Sequence, residues 1–284
     1  MKILSRVFWA WQVCLICLVS PNHAQNFGTR QSIDSSDFYI FTEAGGQYIP
    51  NIPISDINLG SESFVVNSGG TSYDVNISSS LQNNYISPDI GYNFIGGFGY
   101  EINRNVSFEL EVGYQYTPLG TGTSTLNAPF SVSGGGSSFT GTVSGNISLN
   151  STGNLTQIPI LINCVIQNRH ERFMPFASIG LGVCPSTIHS KATQVIFNDT
   201  TVSVGGTSVN TGSLELGTVD LGNSSTSYPF MFKLKAGFDY ALNQHIDLGL
   251  RAWCSGITGS EFGNGIDSEI YAVVGLTGAL KIKF

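Results

Sequence analysis

Apolar and polar residues alternate in eight stretches of the chain, and the last of these stretches, 269–284, illustrates the pattern. One parity there is apolar throughout, whereas the other is small or polar. Period-two alternation of this kind predicts a β-strand with one apolar face and one wet face. The predicted strands are 37–48, 88–101, 106–117, 154–166, 173–184, 228–241, 245–254 and 269–284.

The connections between these strands alternate in length. The long ones are 49–87, 118–153, 185–227 and 255–268, and the short ones are 102–105, 167–172 and 242–244. An even number of strands, about ten residues per crossing and alternating connection lengths are typical of barrels that span a membrane. We therefore predict an all-β fold, an eight-stranded antiparallel transmembrane β-barrel with four long outer loops and three short periplasmic turns.

The polarity of the two faces separates this barrel from a soluble one. A soluble β-sandwich or barrel would be apolar inside and polar outside, but here the predicted outer face is apolar and charged residues lie on the other. These inward charges are expected either to pair as a plug or to form a gate or ion path, because eight strands leave a lumen just wide enough for side chains. The candidate lumen residues are Glu43, Glu109, Glu111, Lys233, Lys235, Asp239, Asp247, Arg251, Lys281 and Lys283.

The first residues read as a targeting segment. A basic start, a 13-residue apolar core from Val7 to Val19, and Ala24 before Gln25 predict a cleaved signal peptide over 1–24. A flexible lead over 25–36 and a barrel domain over 37–284 follow. No later apolar run reaches the roughly 18 residues that a membrane helix needs, so strands are expected to make any membrane crossing.

Several kinds of chemistry find no support in the sequence. A pI near 4.9 argues against nucleic acid. The mature chain keeps Cys164, Cys184 and Cys254, with no metal-binding spacing, and we expect no metal, no cofactor and no catalytic residue. Glu109 with Glu111 and Ser186 with His189 are the nearest approaches to catalytic pairs, and we interpret the first as structural and the second as coincidence.

The predicted outer loops are strongly acidic. They contain eight acidic residues and one basic residue, Lys191, which gives them a net charge of −7. This field disfavours nucleic acids and sulfated polysaccharides as ligands, while long polar connections on a rigid scaffold are where binding usually takes place. The acidic residues are Asp56, Glu62, Asp74, Asp199, Glu215, Asp220, Glu261 and Asp267.

The stretches EINRNVSFELEVGYQY, QIPILINCVIQNRHERFMPFASIGLGV and FKLKAGFDYALNQHIDLGLRAW resemble the hairpins of the outer-membrane β-barrel domain of opacity-type proteins, OmpA-like barrels and bacterial surface antigens. The resemblance implies a Gram-negative outer membrane, outer-membrane lipid around the barrel and assembly by the barrel assembly machinery. It also implies that the terminal Phe284 acts as the assembly signal. The family has no catalytic residues to carry over, and we expect no periplasmic domain after the barrel.

These observations favour a non-enzymatic surface protein, a surface antigen or an adhesion or envelope-structural protein, whose loops meet a host, another cell or the environment. The first alternative is a narrow porin-like channel for small or hydrophobic solutes. The second is an enzyme at the rim that modifies lipid, in which His189 would be needed.

Overall fold

The computed structural model describes residues 38–68, 70–169, 172–204, 207–219, 224–259 and 268–284. The predicted signal peptide and lead, and the acidic residues Asp220, Glu261 and Asp267, lie outside the described residues. The described part of the chain is built from β-strands, and none of its helices is long and apolar enough to cross a membrane.

Sixteen strands follow one another within the described residues. They are β1 Phe38–Tyr48, β2 Ile52–Ile54, β3 Ile57–Ser68, β4 Thr71–Ile86, β5 Gly91–Glu101, β6 Val106–Pro118, β7 Thr121–Gly134, β8 Ser137–Gln157, β9 Ile160–Gln167, β10 Phe173–Val183, β11 Ser186–Val204, β12 Thr207–Val219, β13 Ser224–Ser227, β14 Phe230–Ala241, β15 Ile246–Ile257 and β16 Tyr271–Lys283.

Eight of these strands close into a barrel. Each pairs antiparallel with the next in the order β1, β5, β6, β9, β10, β14, β15, β16, and β16 returns to β1 with Tyr39 opposite Lys283. Closure leaves these strands without a free edge, which is what a sheet needs in lipid. The predicted eight-stranded antiparallel barrel is confirmed.

The outside of the barrel is apolar and the inside is polar and charged, as the alternation predicted. Phe98, Ile162 and Leu181 are each more than half exposed on the outer face. Aromatic residues pair near the two ends of the strands. Tyr92 stacks on Tyr116 with 5.1 Å between ring centres, and Phe38 packs at a tilt against Tyr100 with 4.9 Å between ring centres. Such aromatic rings are found where a barrel wall meets the two membrane–water interfaces.

The three longest connections differ from the predicted loops, because they form β-hairpins that prolong the barrel wall. Strands β3, β4, β7, β8, β11 and β12 pair side by side in that order, and we call them the hairpin sheet. The longest, β8 with 21 residues and β11 with 19, run alongside each other. These connections are rich in serine, threonine and glycine, a composition that is typical of loops. The alternation of apolar and polar residues that makes them strands is therefore hard to recognise in the sequence.

Proline residues mark where the barrel passes into the hairpin sheet. We call this ring of strand interruptions the rim, and its prolines are Pro88, Pro118, Pro159, Pro185 and Pro229. Proline lacks a backbone donor and so interrupts a strand, but its carbonyl can still accept. The Ile158 amide donates to the Pro185 carbonyl at 2.8 Å and the Cys184 amide to the Pro229 carbonyl at 2.9 Å, so pairing continues across the rim.

The polarity of the two faces reverses at the rim. Along the stretch formed by β8 and β9, even-numbered residues face outward, and they are apolar in the barrel (Ile160, Ile162, Ile166) but polar in the hairpin sheet (Thr140, Thr142, Asn146). Odd-numbered residues of β8 include the buried Ile147 and Leu155. The barrel therefore has the polarity of a wall in lipid, and the hairpin sheet has the polarity of a wall in water.

Candidate functional site

The centre of the lumen is an ion-pair network around Glu111. Its carboxylate accepts hydrogen bonds from Lys233 Nζ at 2.6 Å and from Lys235 Nζ at 2.8 Å. Lys235 also contacts Glu43 at 3.0 Å and Glu109 at 3.8 Å. Strand parity places all five side chains inside the barrel, where they are almost fully buried.

A second branch of the network begins at Arg251. Its guanidinium donates to Glu43 Oε1 at 2.5 Å and to Asp239 Oδ1 at 3.4 Å. Asp239 in turn pairs with Lys281 at 3.0 Å. The branch joins strands β1, β14, β15 and β16, so it ties together the strands that close the barrel.

Aromatic rings pack against three of the buried cations. Lys281 Nζ lies 4.5 Å from the ring centre of Tyr39, and Lys233 Nζ lies 4.6 Å from that of Trp253. The Arg251 guanidinium lies 5.1 Å from the ring of Phe176. Cation–π contacts of this kind strengthen when water is excluded, and the rings fill space that the ion pairs leave.

All ten predicted lumen residues are brought inside the barrel, and each takes part in an ion pair. The remaining pair is Lys283 with Asp247 at 2.7 Å, near the short-turn end. Five acidic and five basic side chains balance each other in charge. Glu101 and Arg169 form one further ion pair, which could not be predicted from the sequence because Arg169 lies in a turn and has no strand parity.

An apolar layer, which the strand alternation did not predict, closes the lumen at the rim. Its residues are buried and come from both the barrel and the hairpin sheet, namely Ile49, Ile52, Leu119, Leu155, Leu161, Cys184, Ile188, Met231, Trp253, Ile257, Tyr271 and Val273. Within this layer, the Tyr271 hydroxyl accepts a hydrogen bond from Gln157 Nε2 at 3.0 Å. The lumen is therefore filled by two successive layers, one charged and one apolar.

Above the apolar layer, the inner face of the hairpin sheet is apolar too. Phe64 lies opposite Val75, Val75 opposite Val132, and Val132 opposite Phe139, which makes one row across β3, β4, β7 and β8. The two ends of this row, Phe64 and Phe139, are nearly half exposed. The other face of the same strands carries mostly serine, threonine and asparagine, together with Asp74 and the exposed Val65 opposite it.

The pairs considered for catalysis are not arranged as catalytic sites. Ser186 is buried and donates to the Cys184 carbonyl at 2.8 Å, whereas His189, three residues along β11, is exposed. Glu109 and Glu111 are both held by lysine inside the lumen. Within the described residues, no group of three or more His, Cys, Asp or Glu side chains could hold a metal ion, and Cys164, Cys184 and Cys254 are free thiols.

The structure describes only some of the acidic residues that were predicted to face outward. Glu62 and Asp74 are exposed on the hairpin sheet, and Asp56 is exposed before β3. The side chains of Lys191, Asp199 and Glu215 lie outside what the structure describes. Phe284, the predicted assembly signal, is 65% exposed, and its amide donates to the Phe38 carbonyl at 3.3 Å.

Comparison with known proteins gives structural likeness at low sequence identity. No protein-family model matches the chain, and no curated protein sequence matches it. Neisserial surface protein A aligns over 88% of this chain and 99% of its own, with a TM-score of 0.42 and 13% identity. OprG from Pseudomonas aeruginosa aligns over 88% of this chain and 97% of its own, with a TM-score of 0.29 and 14% identity. The protease OmpT from Escherichia coli aligns over 90% of this chain and 99% of its own, with a TM-score of 0.34 and 11% identity.

The fold itself decides the class of protein. The barrel is closed, its outer surface is apolar, its interior is charged, and aromatic rings lie near both ends of its strands. Such a barrel is stable in a bilayer, whereas in water its apolar outer surface would be unfavourably exposed to solvent. The described strands therefore form a closed β-barrel of the kind that spans a membrane.

Proposed function

We propose that this protein is a non-enzymatic surface protein that holds its hairpin sheet outside the cell for contact with a host, another cell or the environment. The observation that carries the proposal is the continuation of the barrel wall past the rim as a paired sheet. Binding surfaces are commonly placed on extensions of a rigid scaffold. Here the filled lumen makes the barrel such a scaffold.

The filled lumen also favours this role over a channel. An ion path would need water or mobile charges in the lumen, but the ten lumen charges are paired at short range beneath an apolar layer. The placement of Ser186 and His189, one buried and one exposed, supports a non-enzymatic role.

The orientation of the barrel follows from its two ends. Short turns at 102–105 and 242–245 lie at one end, and the hairpin sheet lies at the other. In outer-membrane barrels the short turns face the periplasm, so the hairpin sheet is expected outside. We further propose that Phe284 is read by the assembly machinery and that outer-membrane lipid surrounds the barrel.

Protease treatment of intact cells tests the orientation. We expect cuts only within 49–87, 118–153, 185–227 and 255–268, together with a heat-dependent gel shift of the detergent-folded protein. Cuts confined to the short turns would overturn the proposal.

A trimmed variant tests the binding role. Asn127 lies opposite Ser144 on β7 and β8, so a two-residue turn can replace 128–143 without altering the barrel. Cells that carry the variant should adhere less to host or bacterial surfaces than cells with the intact protein, at equal surface levels. Equal adhesion would show that this part of the hairpin sheet is not the binding surface.

A further inference from the structure

A row of outward-facing side chains crosses five neighbouring strands at the level of the rim. Its members lie directly opposite one another on β5, β6, β8, β11 and β13. We call it the rim row, and it consists of Tyr92, Tyr116, Thr156, Thr187 and Thr226. Tyr92 and Thr226 are exposed and the other three are half-buried, so the row lies on the outer surface of the wall.

The rim row divides an apolar surface from a polar one. Beyond the row, the outward residues of β8 and β11 are Asn154 and His189, which lie opposite each other. A lipid whose acyl chains pack on the barrel side therefore has its head group level with the row. On that side, the outward residues are apolar or aromatic and more than 40% exposed, namely Phe94, Tyr114, Ile158, Val183 and Tyr228.

The side chains of the rim row suit a sugar. Tyr92 and Tyr116 are stacked, with 21° between their planes, and the C–H face of a sugar ring packs on such aromatic surfaces. The Thr187 and Thr226 hydroxyls are 2.9 Å apart and share a hydrogen bond. Because each hydroxyl has one donor and two acceptor sites, the pair can make further hydrogen bonds to the hydroxyls of a sugar.

Charge indicates that the head group is neutral. Every lysine and arginine side chain that the structure describes lies in the lumen or at the short-turn end of the barrel. Phosphate and carboxylate groups are usually held by such cations. Asp89, which is exposed at the rim, would instead repel an anionic head group.

We propose that the rim row binds the uncharged sugar head group of a glycolipid whose acyl chains pack on the apolar surface of the barrel. Aromatic residues at this height are common to membrane barrels, but the three threonines continue the row onto strands that lie beyond the rim. The inference deepens the proposed function and rests on it, because it takes the rim to lie at the outer surface of the membrane.

The test uses the full chain folded in detergent and measures bound lipid by native mass spectrometry. The probes are digalactosyl diacylglycerol, phosphatidylcholine and phosphatidylglycerol with identical acyl chains, so that only the head group differs. We expect the glycolipid to bind about tenfold more tightly than either phospholipid, as two additional hydrogen bonds would give. Because the protein is purified, this result is independent of orientation in the cell, which the protease experiment tests separately.

Paired variants locate the head group. Thr156→Val with Thr187→Val removes two hydroxyls of the rim row, keeps the shape of both side chains and should abolish most of the preference for the glycolipid. Thr140→Val with Thr142→Val is the matched control on the outward face of β8, since Thr142 lies roughly 45 Å along the strand from Thr156. This control should preserve the preference.

The stacked tyrosines are tested in the same way. Tyr116→Leu should weaken glycolipid binding about fivefold, because the aromatic surface is lost. Tyr100→Leu, in the aromatic pair at the short-turn end, is the control and should leave glycolipid binding nearly unchanged. The heat-dependent gel shift verifies that each variant is folded.

Several outcomes would overturn the proposal. These are equal affinity for the three lipids, tightest binding of phosphatidylglycerol, and an unchanged preference in the double variant of Thr156 and Thr187. A free galactose disaccharide that binds as tightly as the glycolipid would do so too, since the row would then recognise a soluble sugar.

Discussion

Arg251 on β15 donates a 2.5 Å hydrogen bond to Glu43 on β1, across 208 residues of sequence and on the far side of β16. The two strands do not pair with each other, so this contact joins strands that backbone hydrogen bonds leave separate. It is the clearest example of how the lumen charges hold the closed barrel together.

Removing Arg251 should therefore destabilise the barrel. We expect Arg251→Ala to lower the free energy of unfolding by about 3–5 kcal/mol, because Glu43 and Asp239 lose a buried partner. Urea unfolding in detergent, followed by the heat-dependent gel shift, measures this. Arg104→Ala, in an exposed turn, is the matched control. If Arg251→Ala lost no more stability than the control, the neighbouring lysine residues would be compensating fully for the missing guanidinium.

The lumen should conduct little. Ten paired charges and an apolar layer fill it, so the wild-type protein in planar bilayers should give no large, steady current. A general porin in the same bilayers provides the positive control. A steady porin-like conductance would contradict the plug and restore the channel as the leading function.

The reversal of polarity at the rim can be tested by introducing an outward-facing lysine at two positions, one in the barrel and one in the hairpin sheet. Leu250→Lys, on the lipid face of β15, should cost about 2–4 kcal/mol. Thr142→Lys, on the outward face of β8 beyond the rim, should change stability by no more than about 0.5 kcal/mol. Urea unfolding in lipid vesicles measures both. A similar cost at both sites would mean that the hairpin sheet also lies in lipid.

The barrel and its charged lumen could be predicted from sequence because both depend on the same period of two. Glu43 and Arg251 fall on the inward parity of their strands, and closure of the barrel then leaves them no place but the lumen. Their particular partners could not be predicted, because pairing depends on the stagger between strands. Strand β3 was missed for another reason: Phe64, Val65 and Val66 are three consecutive apolar residues among polar ones, which breaks the alternation.

Substitution of Phe284 can separate assembly of the barrel in cells from the stability of the folded barrel. Its side chain is exposed and its backbone amide makes the bond to Phe38, so Phe284→Ala should leave the refolded barrel within about 0.5 kcal/mol of wild type. If the assembly machinery reads the aromatic ring, less folded protein should reach the outer membrane in cells. Leu242→Ala, exposed in a turn at the same end, is the control. Equal membrane levels of the two variants would remove the assembly role.

Two glycines of β16 should differ in their tolerance of alanine, because only one of them is closely packed. A Cβ on Gly275 would lie 2.3 Å from the Trp253 ring, whereas one on Gly278 would meet no atom within 4 Å. Gly275→Ala should therefore lower stability by about 1–3 kcal/mol through overpacking, and Gly278→Ala should be neutral or slightly stabilising. Trp253→Leu in the Gly275→Ala background should recover part of the loss, because the smaller side chain removes the clash. Urea unfolding of the four proteins gives the coupling between the two positions, and an additive result would show that Trp253 is free to move aside.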